Sequence, residues 1–173
     1  MQSMNKIAAV LAGTVAVATL AHVPNAEAAT SRIKYVAASA ICQATDPSNF
    51  TGLRFRTIGV FNASASGIQV ACSIPTELVG DQATGEVTLD VHNFRTSAAS
   101  MNCTVQGGNR RTGVNNYPQT INVGANSQEF LSYSNIDKNN PGSFTHYNIS
   151  CIIPPNMELS TIRWQEADTG DGL

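Results

Sequence analysis

The sequence predicts an all-β protein: an antiparallel β-sandwich of Greek-key or jelly-roll type, with eight to nine strands and two disulfides. Three observations predict it. Apolar and polar residues alternate strictly in several short runs, which is the two-residue period of a strand with one buried face. Clusters of Gly, Asn, Asp, Ser and Pro punctuate those runs. No stretch after the N-terminal leader keeps a helical period over three turns. A sheet with one apolar face needs a second layer about 10 Å away to cover it, and a sandwich supplies one.

The first 28 residues read as a cleaved secretory signal peptide. Met1 to Lys6 is a polar start with one positive charge, and Ile7 to Val23 is a weakly hydrophobic run rich in Ala and Val. Ala26-Glu27-Ala28 then places small residues where a signal peptidase needs them, with the cut after Ala28. Residues 29–173 remain as a single β-sandwich domain, an ordinary size for one core. The expected product is secreted, or held in the periplasm or at the cell surface, with no membrane span after the leader is removed.

In chain order, the first strand candidate is Ile33 to Ala38. Leu53 to Phe61 follows, but its phase changes: Leu53 and Phe55 share one face, Ile58 and Val60 the other. A β-bulge near Thr57 would restore the pattern. Ile68, Val70, Cys72 and Ile74 form one face of the next strand. Val87, Leu89 and Val91 then alternate with Glu86, Thr88, Asp90 and His92. Met101, Cys103 and Val105 repeat the pattern, and so do Tyr147, Ile149, Cys151 and Ile153. Shorter candidates are Thr120 to Val123, Glu129 to Tyr133 and Leu159 to Glu166. In the last of these Trp164 shares a face with Ile162, which favours core packing over an exposed stacking platform. Tyr117 and Tyr133 lie near turn clusters and are the looser candidates for exposed aromatics.

The four cysteines all lie beyond the leader, and an even count in an exported chain points to disulfides. Cys72, Cys103 and Cys151 fall on the apolar faces of their strands, where a thiol lacks the exposure and positive surroundings that make it reactive. Two similar phrases, "VACSIP" and "NISCIIPP", end their strands at proline, which has no N–H for a ladder. Each is preceded by another cysteine and followed by a further strand. That parallel between halves favours the pairs Cys42–Cys72 and Cys103–Cys151.

Several function classes lose support. The net charge is −2 and the longest basic run is Arg110-Arg111, which argues against a nucleic-acid partner. No C-x-x-C or convergent Cys/His set suggests a metal, and no cofactor motif is present. There is no G-x-S-x-G, and "DTGDG" at the C-terminus is a single copy that builds neither an aspartic-protease dyad nor a calcium loop. Catalytic residues are therefore expected to be absent. Four N-x-S/T sequons, at Asn49, Asn62, Asn102 and Asn148, are about as many as the Asn, Ser and Thr content produces by chance.

The remaining expectation is a non-enzymatic exported protein. A structural or adhesive cell-envelope role, acting through loops or an exposed strand edge, fits a chain that resembles bacterial surface and fimbrial-type sandwiches in architecture alone. Its partner would be a protein or glycan, or a second copy of the chain. The alternative is a carbohydrate- or ligand-binding module. Its site would be the longest loop candidate, Gln106 to Pro118, with Arg110, Arg111 and Tyr117 as contact residues.

Overall fold

The structure is a computed structural model and describes residues 31–74, 84–109, 113–134, 136 and 146–167. The signal-peptide residues, Pro75, Arg110, Arg111 and the "DTGDG" tail lie outside the described residues. The described strands are β1 (Ser31–Ala37), β2 (Cys42–Ala44), β3 (Leu53–Phe55), β4 (Val60–Asn62), β5 (Ile68–Ile74), β6 (Thr84–Asn93), β7 (Ala99–Asn109), β8 (Gly113–Val123), β9 (Ser127–Ser134), β10 (His146–Ile153) and β11 (Met157–Ala167). One turn of helix, α1 (Ala38–Ile41), and a 3-10 segment (Pro47–Gly52) complete them.

These strands form two antiparallel sheets. The first runs β3-β4-β11-β6-β9, and β1 also pairs with β11. β1 lies along Thr161 to Ala167, while β4 pairs with Glu158 and Leu159. The second sheet runs β2-β5-β10-β7-β8. The alternating residues meet between the two: Val87, Leu89, Val91, Leu131, Leu159 and Ile162 from the first sheet face Val70, Cys72, Met101, Val105, Ile149 and Ile153 from the second. Trp164, only 3 % exposed, joins that core.

Eleven described strands exceed the eight to nine that the alternation suggests, and two short ones explain part of the difference. The phase change between Leu53 and Phe61 is not a bulge. The chain turns back at Arg56 to Gly59, and β3 pairs with β4 through Leu53–Asn62, Arg54–Phe61 and Phe55–Val60. The Arg56 N–H donates to the Gly59 carbonyl at 2.8 Å across that turn. A hairpin and a bulge both reverse the apolar phase, so a short run cannot distinguish them by period alone.

Both disulfides lie inside the second sheet. Cys42 is bonded to Cys72 between β2 and β5, and Cys103 to Cys151 between β7 and β10. In each pair the cysteines stand directly opposite one another in the ladder. β5 and β10 are themselves neighbours, with Cys72 opposite Ile149 and Val70 opposite Cys151. The two bridges are thus related by a local two-fold through the β5–β10 seam. The next strands repeat the relation, since β6 and β11 pair in the first sheet.

Tyr133 is not an exposed aromatic. It is 1 % exposed on the inner face of β9, and its hydroxyl donates to the Cys103 carbonyl of β7 at 2.9 Å, linking the two sheets. Burial pushes the phenol well above its ordinary pKa.

Candidate functional site

The outward residues of the first sheet form a groove of about 580 Å³ that crosses four strands. Register builds it. Tyr35 on β1 stands opposite Arg163 on β11, Arg163 opposite Thr88 on β6, and Thr88 opposite Ser132 on β9. One step along, Asp90 faces Phe130. Side chains two residues apart share a face, so these rows lie side by side on the outside of the sandwich.

β11 adds one irregularity. Its register to β6 shifts between Leu159 and Ile162, which pair with Val91 and Leu89. Two residues, Ser160 and Thr161, therefore occupy the space opposite Asp90. That is a β-bulge. It lets Leu159 and Ile162 both point into the core, buries Ser160 and aims Thr161 at the groove.

The rim is aromatic. Tyr35 is 66 % exposed and Phe130 is 62 % exposed. They stand on strands three spacings apart, about 14 Å. Neither ring contributes to the core, so packing gives no reason for either.

The floor between them is short and polar. Thr88 donates to Glu86 Oε1 at 3.1 Å and lies 3.3 Å from the Ser132 hydroxyl. Gln128 donates its amide to Asp90 Oδ1 at 2.7 Å, and His92 Nε2 is 3.4 Å from the same oxygen. Arg163 reaches Glu86 only at 3.8 Å, and its buried Nε has no hydrogen-bond partner among the described residues. The floor therefore offers hydroxyls that can donate or accept, two carboxylates with spare lone pairs and one under-used guanidinium. Glu86 and Asp90 outnumber Arg163, so a neutral ligand meets less repulsion here than an anionic one.

Of the residues singled out from sequence, Tyr117 and the four cysteines fall elsewhere, and Arg110 and Arg111 lie outside the described residues. The stretch expected to be a loop from Gln106 to Pro118 is mostly strand: β7 continues to Asn109 and β8 begins at Gly113. Tyr117 is a half-buried residue of β8, opposite Val105 and packed against the core of the second sheet. It is neither a loop residue nor near the groove. The four cysteines are buried in disulfides. Among the described residues, no three His, Cys, Asp or Glu side chains converge as a metal site would need.

None of the groove residues, Tyr35, Thr88, Asp90, Phe130, Ser132, Thr161 and Arg163, was singled out as a site from sequence. Alternation does assign Glu86, Thr88, Asp90 and His92 to one outward face. Nothing local in the chain says that β1, β9 and β11 lie beside it.

No protein-family model matches the chain, and no curated protein matches it in sequence. Among solved structures it is similar to the xylan-binding module CBM15, at 12% identity, covering 79% of this chain and 97% of that one, with a TM-score of 0.48. A second is the N-terminal endo-1,4-beta-D-xylanase 10B of Clostridium thermocellum, its CBM22-1 and GH10 modules complexed with xylohexaose. The identity there is 14%, the coverage 76% of this chain and 25% of that one, and the TM-score 0.45. A third is the xylan-binding domain from CBM 22, at 12% identity, 82% and 89% coverage and a TM-score of 0.41. The overlaps are loose, and identities this low carry no residue across to this chain.

Proposed function

We propose that this protein is a non-catalytic, exported carbohydrate-binding module, and that it takes a neutral glycan in the groove on the outer face of the first sheet. The observation that carries the reading is the pairing of two exposed rings, Tyr35 and Phe130, with a floor of hydroxyls and carboxylates. A pyranose has the same division. Its axial C–H bonds present an apolar face that packs on an aromatic ring, and its hydroxyls need donors and acceptors at the edge. Thr88, Ser132 and Thr161 suit either polarity, while Asp90 and Glu86 accept strongly.

This ligand-binding reading takes precedence over a structural or adhesive role, because a purely structural face has no use for two solvent-exposed rings about a polar depression. It also moves the site from the 106–118 segment to the opposite sheet.

Titration calorimetry against soluble xylan, mixed-linked β-glucan, galactan and a polyuronate tests the proposal. Binding to at least one neutral glycan is expected, with little or none to the polyuronate. Tyr35→Ala and Phe130→Ala should each weaken it about tenfold, some 1.4 kcal/mol, the scale of one aromatic contact. Both rings are exposed, so the melting temperature should hardly change. Binding that survives both substitutions would overturn the assignment of the groove.

A further inference from the structure

We infer that the glycan is a chain rather than a single sugar, and that a second subsite at Phe94 holds a ring further along it. This rests on the groove being a glycan site. Beyond Asp90 the outward face continues through His92, which stands opposite Gln128, to Phe94, the residue after β6. A second cavity of about 280 Å³ lies there, lined by His92, Phe94, the turn residue Asn126 and the β9 residues Ser127 and Gln128. The Gln128 amide donates to Asp90, so one hydrogen bond joins the polar residues of the two cavities.

The ring of Phe94 is half-exposed and held in place. Its backbone N–H donates to the Asn156 carbonyl at 3.0 Å. Phe61 meets it edge-on at 5.7 Å, and His92 lies nearly parallel at 6.0 Å. The Arg56 guanidinium sits 5.1 Å from its centroid and 4.2 Å from that of Phe61. Arg56 is tied in turn to the buried Glu158 at 2.8 Å. A ring so fixed loses little freedom when a ligand stacks on it.

Distance excludes one sugar touching both ends. Thr88 to Phe94 is six residues of extended chain, about 20 Å. A pyranose is far smaller than that span, so a single ligand that reaches from Thr88 to Phe94 is a chain of linked rings lying along β6.

Xylo-, cello-, mixed-linked gluco- and galacto-oligosaccharides of increasing length, titrated into the wild-type protein and into Phe94→Ala and Tyr35→Ala, test this. In the wild type the affinity should rise about tenfold once the ligand is long enough to reach Phe94. Phe94→Ala should abolish that rise and leave the shortest binding ligand within about twofold, while Tyr35→Ala weakens every length. Phe94→Leu keeps apolar packing against Phe61 but removes the flat ring, and should behave as the alanine variant does. An undiminished rise in Phe94→Leu, or tight binding of short ligands with no rise in the wild type, overturns the second subsite while the groove stands. Absence of binding at every length overturns both.

Discussion

Two buried asparagines do the same work at two corners of the sandwich. Asn62 ends β4 and Asn93 ends β6, and in both cases the next strand begins six residues on, in the opposite sheet. The Asn62 amide donates to the carbonyls of Ser66 and Ile153, and its oxygen accepts from the Ser64 N–H. The Asn93 amide donates to Ser97, Val123 and Gly124, and its oxygen accepts from the Arg95 N–H. Each side chain thus satisfies backbone groups that the crossing would otherwise bury unpaired. Alanine at either position should cost about 2–4 kcal/mol in urea unfolding, because carbonyls are left without donors as well as bonds being lost. Asn62 also heads a sequon, Asn-Ala-Ser, but its amide is buried and committed, so mass spectrometry after expression in a glycosylating host should find it unmodified. Tyr133 gives a second test at this scale. Its pKa is raised by burial above the ordinary 10.0, so the fold holds the neutral phenol and the phenolate is penalised. Stability from this group is complete below about pH 10 and declines as the pH rises beyond it. Tyr133→Phe should be about 1 kcal/mol less stable near neutrality, through the lost bond to Cys103, yet lack that alkaline decline.

At the scale of strands, the alternation of residues specifies pairing faces well and partners poorly. Val87, Leu89 and Val91 are all fully buried, as period two requires, and the same holds for Ile149, Cys151 and Ile153. The β3–β4 hairpin, the β11 bulge and the long β7–β8 ladder were less legible. Each depends on which strand lies opposite, and that is a tertiary choice. Polar residues also mislead: Gly, Asn and Gln at 106 to 109 look like a loop, but their neighbours in β8 accept them as ladder. Pro118 within β8 is tolerated because β8 is the edge of its sheet. The disulfides are the elements' strongest tie. Cys103–Cys151 closes a separation of 48 residues and Cys42–Cys72 one of 30. Replacing either pair by alanine should cost about 4 kcal/mol on the chain-entropy model. Peptide mapping without reduction should return these two linkages; a Cys42–Cys103 or Cys42–Cys151 peptide would contradict the fold.

Over the whole molecule, the two outer faces differ in chemistry. The first sheet presents Glu86, Asp90, His92 and Arg163 together with exposed aromatics. The second presents Gln69, Ser73, Asn148, Ser150, Asn102, Thr104, Gln106, Asn116 and Thr120, none of them charged. These side chains largely satisfy one another: Ser73 donates to Asn148, Gln69 to Ser150, Gln106 to Asn116 and Thr120 to Asn102, all within 3.1 Å. The groove groups are also partly paired, Thr88 with Glu86 and Ser132 and Asp90 with Gln128, but there they stand beside a half-exposed guanidinium and two exposed rings that the second sheet lacks. The site was hidden in the sequence for the same reason: Tyr35, Thr88, Phe130 and Arg163 are dispersed over the chain and meet only through strand order. A matched pair of charge insertions separates the faces. Ser132→Lys puts a long side chain into the floor between Tyr35 and Phe130. Asn102→Lys puts the same group on the second sheet, where Asn102 is exposed and costs only its bond from Thr120. Both should fold, with stability changes within about 1 kcal/mol. Glycan titration should then show binding lost in Ser132→Lys and kept in Asn102→Lys; the reverse pattern would place recognition on the uncharged sheet, with the aromatic groove left unused.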